Sequence, residues 1–144
     1  MDRVPPPIAE HLFFDYEFEE ARRNYQQALA IYIESGNHYS QVLTYHQLGS
    51  VAQELREFEE ARCNYQQALA IFIEFGDRYS QARTYYCLGT LAEAEENYAE
   101  ARVHLQIALE IYVKYKDEYL GAMPTAASYA REALERLSIH LDGN

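Results

Sequence analysis

Glu57-Phe58-Glu59-Glu60-Ala61-Arg62-Cys63-Asn64-Tyr65-Gln66-Gln67-Ala68-Leu69-Ala70-Ile71-Phe72 repeats an earlier stretch almost verbatim. That stretch is Glu17-Phe18-Glu19-Glu20-Ala21-Arg22-Arg23-Asn24-Tyr25-Gln26-Gln27-Ala28-Leu29-Ala30-Ile31-Tyr32. A degraded third copy runs from Asn97 to Leu109, with Ala101, Leu105 and Ala108 at the matching phases. Ala21, Ala61 and Ala101 stand 40 residues apart. A fixed period of this size is the mark of stacked supersecondary units, each burying a face that it cannot bury alone.

The spacing inside each unit is helical. Tyr45, Leu48 and Ala52 fall at i, i+3 and i+7, and Ala61, Tyr65, Ala68 and Phe72 at i, i+4, i+7 and i+11. Both sets put apolar groups on one face. Small alanines alternate with rings, so two antiparallel helices can approach closely while the rings fill the remaining gap. Tyr39, Tyr79 and Tyr119 recur at one phase, Tyr45 and Tyr85 at a second, and Tyr32, Phe72 and Tyr112 at a third. These ladders read as packing.

Helices are predicted over 8–15, 16–35, 38–54, 57–75, 78–95 and 97–116. Gly36 and Gly76 supply stops, because glycine tolerates the left-handed conformation that closes a helix. Asn37, Asp77 and Asp117 are placed to cap the helices that follow. The chain thus divides into a proline-rich leader (1–7), a partial first unit (8–36), a second unit (37–76), a third (77–116) and a C-terminal capping helix with its tail (117–144). In that last segment Pro124 calls for a kink or a restart. Ala126, Ala130, Ala133, Leu137 and Leu141 form its apolar stripe. Arg131, Glu132, Glu135 and Arg136 form its polar face, with Glu132 and Arg136 spaced to pair. Residues 142–144 should fray.

Composition narrows the function. The net charge is −11, with 23 acidic against 12 basic residues. Phosphate binding needs clustered Lys and Arg, so nucleic acid and anionic membrane are disfavoured as partners. No apolar run reaches the ~18–20 residues of a membrane span. The first residues lack the apolar core of a signal peptide, and the expected location is cytoplasmic. Cys63 and Cys87 form no Cys-x-x-Cys pair, and read as reduced, packed thiols.

These residues resemble the tetratricopeptide repeat (TPR) family. The motif's helix A carries an aromatic, then Leu-Gly, then Ala, and its helix B carries Ala, an aromatic and Ala. The second unit supplies Tyr45, Leu48-Gly49, Ala52, Ala61, Tyr65 and Ala68. The third supplies Tyr85, Leu88-Gly89, Ala92, Ala101, Leu105 and Ala108. The first is partial, with Ile8-Ala9, Leu12, Ala21, Tyr25 and Ala28. The resemblance implies an all-α fold, a right-handed superhelical solenoid of antiparallel helix pairs. The family's proline after helix B is replaced by Ile33, Ile73 and Val113, and helix B runs on, which accounts for the long period. The long unit resembles the Pins/LGN type and the repeats of bacterial regulatory proteins. The Asn that commonly follows Leu-Gly in that type is Ser50 and Thr90 here. A chaperone-type carboxylate clamp is not implied either, since His46, Ser50, Tyr86 and Thr90 stand at its positions and no Lys does.

Near-identical repeats permit a subtraction. Residues shared at one phase serve the fold, and residues that differ are free to serve a partner. The differing helix A positions are Leu43/Arg83, His46/Tyr86, Gln47/Cys87, Ser50/Thr90, Gln53/Glu93 and Glu54/Ala94. Residues 43, 46, 47, 50, 53 and 54 share one helical face, opposite Tyr45, Leu48 and Ala52. The resemblance implies that this face lines a concave groove for a peptide or helix of another protein. Chemistry fails the subtraction. Glu19-Glu20 and Glu59-Glu60 recur where they would complement a helix dipole. His46 and Cys87 have no third group, and His11, His38, His104 and His140 lack metal-ligand spacing. No catalytic, cofactor or metal role is therefore expected, and the chain reads as a scaffold, not an enzyme. A second reading is self-assembly. Phe13, Phe14, Tyr16 and Phe18 crowd the incomplete first unit, and an uncovered solenoid end can be covered by another copy. A fragment of a larger signalling protein is a variant of that reading.

Overall fold

The computed structural model describes residues 6–115 and 123–142. They form six helices and no strand: α1 (Pro6–Ser35), α2 (His38–Glu54), α3 (Phe58–Phe75), α4 (Arg78–Ala94), α5 (Tyr98–Lys114) and α6 (Met123–Leu141). The all-α expectation holds, and the helices follow one another in the succession of a helical repeat fold.

One local device makes the four described reversals up to α5. At the end of α1 the Gly36 amide donates to Ile33 O at 3.2 Å and the Asn37 amide to Tyr32 O at 2.9 Å. This pair of bonds around a left-handed residue is a Schellman closure. Gly36 has φ +71° and Gly76, in the same role after α3, +69°. Asn37 then caps α2, accepting the Ser40 amide at 3.0 Å, and Asp77 caps α4 through the Ser80 amide at 3.0 Å. Asp117 lies outside the described residues. Within the second and third units the left-handed position falls on Arg56 (φ 60°) and Glu96 (φ 62°). A side chain in this region costs about 1–2 kcal/mol, partly offset by the flexibility that glycine would add to the unfolded chain. Glu96→Gly should therefore stabilise the protein by about 0.5–1 kcal/mol, seen as a higher urea midpoint, while Glu96→Ala should not.

An amide side chain, half-buried at Gln41 and buried at Gln81, recurs beside these turns. Gln41 Nε2 donates to Tyr32 O at 3.1 Å, and Gln81 Nε2 to Phe72 O at 3.3 Å. Each is a second donor to a carbonyl that already accepts the closing amide of the turn, from Asn37 or Asp77, and so fills its other lone pair. The shared phase of the two glutamines is visible in the sequence, but their role as locks depends on a tertiary contact.

The chain packs as two compact units, one ending at Asn64 and the other beginning at Tyr65. In the first, α1 lies against α2. Arg22 reaches Glu57 at 2.7 Å and Glu60 at 3.2 Å. A hydrogen bond from Glu60, and after it the Arg22 guanidinium, hold Glu57 below the usual carboxylate range. Burial, and then the bond to Glu57, push Glu60 up.

The first unit departs from expectation at α1. The predicted break between residues 15 and 16 does not occur, and Pro6 to Ser35 is one 30-residue helix. The partial first repeat therefore has no separate helix A, and Pro6 and Pro7 belong to a helical first turn, not to the leader. Tyr16 stands at the phase of Arg56 and Glu96. An aromatic residue is poorly suited to positive φ, so the helix runs through. Glu19 and Glu20 consequently lie in mid-helix, where they pair with Arg22 and Arg23, and do not complement an N-terminus. Glu59 and Glu60 do occupy the first turn of α3.

In the second unit α4 and α5 form a hairpin and α6 packs on α5, with a smaller contact to α4. One cluster joins Ala82, Ala108, Ile111, Tyr112 and Ala127, with Tyr79, Tyr85 and Tyr86 packed against it. A second joins Ala92, Ala101, Leu105, Ala133 and Leu137, with Tyr86, Tyr98 and Leu141 against it. Tyr79 meets Tyr112 edge-on at 6.0 Å, as packing ladders require. Tyr39 does not follow, being 67% exposed. Described helix resumes at Met123 with Pro124 in the first turn of α6, where a missing amide hydrogen costs nothing. Residues 116–122 lie outside the description.

Candidate functional site

The helix A positions separate by unit. On α2, Leu43, Gln47, Ser50 and Glu54 are exposed, and His46 and Gln53 are half-buried. They form a strip along one side of the helix. Its other side is the buried set Val42, Leu48, Gly49, Val51 and Ala52. On α4, Arg83 is exposed, and Tyr86, Cys87, Thr90 and Glu93 are half-buried.

The α4 strip is covered in part by α6. Tyr86 packs against both clusters of the second unit, and so lies among α6 residues including Ala127, Ala133 and Leu137. Burial raises the pKa of its phenol. Arg136 forks onto Glu93, Nε to Oε2 and Nη2 to Oε1, each at 3.0 Å. The bond to Glu93 raises the pKa of the guanidinium. A planar two-point pair of this kind fixes orientation as well as charge. The expected Glu132–Arg136 pairing is thus superseded by a partner 43 residues away. Only the packing of α6 on α4 brings that partner close. Asp142 likewise does not fray free, because its Oδ1 accepts Arg102 Nη2 at 3.0 Å. Tyr98 stacks on His140 with centroids 4.1 Å apart.

Thr90 Oγ1 turns back to Cys87 O at 3.0 Å. Burial pushes the Cys87 thiol up to about 11, against a smaller opposing effect of Arg83. A thiol held protonated is a poor nucleophile. Iodoacetamide at pH 8 should modify exposed Cys63 readily. Cys87 should react about a hundredfold more slowly than an ordinary exposed thiol. Peptide mapping over a time course reads both sites, and equal rates would contradict the burial of Cys87.

Among the described residues no group of three or more His, Cys, Asp or Glu is placed to hold a metal ion. No helix among them is long and apolar enough to cross a membrane.

The tetratricopeptide repeat family model matches residues 7–74. Residues 7–74, a little under half of the chain, are thus similar to tetratricopeptide repeats. TPR units are generally protein–protein interaction modules, and the family is not an enzymatic one. Among solved structures, this chain is similar to BtubC (BKLC) from P. vanneervenii, with 21% identity and a TM-score of 0.62. The match covers 89% of this chain and 59% of that one. At this identity the likeness speaks for the fold. No curated protein matches the chain.

Proposed function

We propose that the chain is a protein-interaction scaffold that holds a helix or short peptide of another protein on the helix A strip of α2. The observation that carries this reading is the treatment of the same strip on α4. There an amphipathic helix, α6, lies against Tyr86 and presents Arg136 to Glu93. The corresponding places on α2 are His46 and Gln53, with Ser50 between them at the phase of Thr90. Leu43 and Gln47 extend the strip, and Glu54 ends it. The exposed Gln47 and Ser50 give hydrogen bonds and Glu54 one acidic contact around a single aliphatic anchor, Leu43. A mixed surface of this kind fits a short amphipathic segment better than a large apolar one.

Selection of a random peptide library displayed on phage, followed by anisotropy titration of the selected peptides, tests the reading. Ser50→Arg and Leu43→Glu should each weaken binding by about tenfold or more, the effect of losing a central contact, with the helical circular dichroism unchanged. Peptides that bind wild type and both variants equally would place the interaction elsewhere.

A further inference from the structure

We infer that the segment held on α2 is a cationic amphipathic helix, with apolar residues at one end for Tyr39 and Leu43 and a Lys or Arg at the other for Glu54. The inference rests on the docking strip proposed above and adds the chemistry of its occupant. Tyr39, Leu43, Gln47, Ser50 and Glu54 fall at i, i+4, i+8, i+11 and i+15 of one helix, so they share a line along its side. All five are exposed. The line is graded. Its start is apolar, with Tyr39 67% and Leu43 41% exposed. Its middle, Gln47 and Ser50, is polar and neutral. Its end is the carboxylate of Glu54. At ~1.5 Å per residue, positions 43 and 54 stand about 16 Å apart along the axis. A helix fits such a line, because its own side chains at i, i+4, i+7 and i+11 advance at the same pace.

The apolar start is not repeated in α4. Tyr79, at the phase of Tyr39, is half-buried and meets Tyr112 edge-on. Arg83 stands at the phase of Leu43. An exposed tyrosine one turn from an exposed leucine is a compact anchor, since a ring gives much contact area for few rotatable bonds. The acidic end runs against helix electrostatics. The free carbonyls of a helix C-terminus favour a cation, yet α2 has no basic residue in its last turn and carries Glu54 there. It contains no Lys or Arg at all. The arginines of the segment that follows are engaged elsewhere, Arg56 over the Phe58 ring and Arg62 with Glu59. Arg22 of α1 pairs with Glu57 and Glu60. A cation brought by a partner would meet both the Glu54 carboxylate and the negative end of the α2 dipole. In α4 the residue at the phase of Glu54 is Ala94, and the acid just before it, Glu93, is met by Arg136.

The probes are the tightest peptides selected on wild type from the displayed random library. They should carry a Lys or Arg about 11 residues from an aliphatic or aromatic pair, the spacing of a helix laid along the strip. A spacing of about five residues would mean an extended strand and overturn the helix. Replacing the cation by Glu should weaken binding about tenfold or more in anisotropy titrations at low salt. Glu54→Lys should weaken the original peptide equally and restore the Glu-substituted one. That variant removes an acid from a helix C-terminus, so helical circular dichroism should hold, and lost binding is not lost fold. Selected peptides without such a cation, or a reversal that Glu54→Lys does not rescue, would overturn the inference. Peptides sensitive to Ser50→Arg but indifferent to Glu54→Lys would leave the docking strip standing and overturn the cationic occupant alone. Peptides indifferent to both variants, or a selection that yields none, would overturn both.

Discussion

Leu105→Ala is expected to lower the free energy of unfolding by about 2–5 kcal/mol, the largest single loss among aliphatic truncations in the second unit. Leu105 has no exposed surface. It sits where three helices meet, touching the α4 backbone at Gly89 and sharing a cluster with Ala92, Ala101, Ala133 and Leu137. Most of these neighbours are glycine or alanine, which have no side-chain freedom to move into a void. The cavity should therefore stay largely open, and the cost should include both the lost transfer energy and the cavity itself. Small domains have only about 5–15 kcal/mol of stability in all, so the shift is easily measured. Urea unfolding should show a lower midpoint with little change of slope. Val103→Ala, two residues away on the same helix, is the control. Val103 is 55% exposed, and its truncation should stay within about 0.5 kcal/mol. Equal costs for the two variants would mean that the α4–α5–α6 junction is not packed as described.

What was legible in the sequence was whatever the repeat states more than once. The α2 range His38–Glu54 agrees with expectation to the residue, and Asn37 and Asp77 cap as their phase required. Gly36 and Gly76 stop their helices because a left-handed position is needed there. Arg56 and Glu96 serve the same purpose without any compositional sign. That silence explains the error at α1. The repeat's register places a turn at residues 15 and 16, but register does not record that Tyr16 disfavours the conformation that Arg56 accepts. The helix A strips were found by difference between copies, a valid guide to what the fold leaves free. The subtraction could not see that α6 would take part of the α4 strip. Arg136 and Glu93 are remote in sequence, and α6 has no second copy to compare. The stripe of Ala126, Ala130, Ala133 and Leu137 announced that α6 would cap something. Tyr86 and Glu93 are part of what it caps.

Gly89→Ala should be nearly as damaging, for the opposite reason. The new Cβ would lie 2.6 Å from Leu105 Cγ, 2.9 Å from Leu105 Cδ2 and 3.4 Å from Ala101 O. Real contacts are not this short, so either Leu105 leaves its rotamer or α4 and α5 move apart. Leu105 is branched and shares its cluster with Ala133 and Leu137 of α6, which leaves it little room to turn away. Overpacking of a closed core costs about 1–3 kcal/mol. Alanine is intrinsically the better helix former by about 1 kcal/mol, so the observed loss would be smaller than the steric cost alone. A double-mutant cycle separates the two contributions. In Leu105→Ala the void lies where the methyl added at position 89 needs to go, and only the helix preference of alanine remains. Gly89→Ala should then be neutral or stabilising in the Leu105→Ala background, while it destabilises the wild type. The coupling energy should fall in the range of about 0.5–3 kcal/mol typical of directly touching side chains, with the sign that marks mutual relief. Additive costs would show that Gly89 is needed for something other than the approach of Leu105. A coupling of the expected sign would identify the Leu-Gly step of the repeat as a spacer, a place where the backbone of one helix serves as the wall for a leucine of the next.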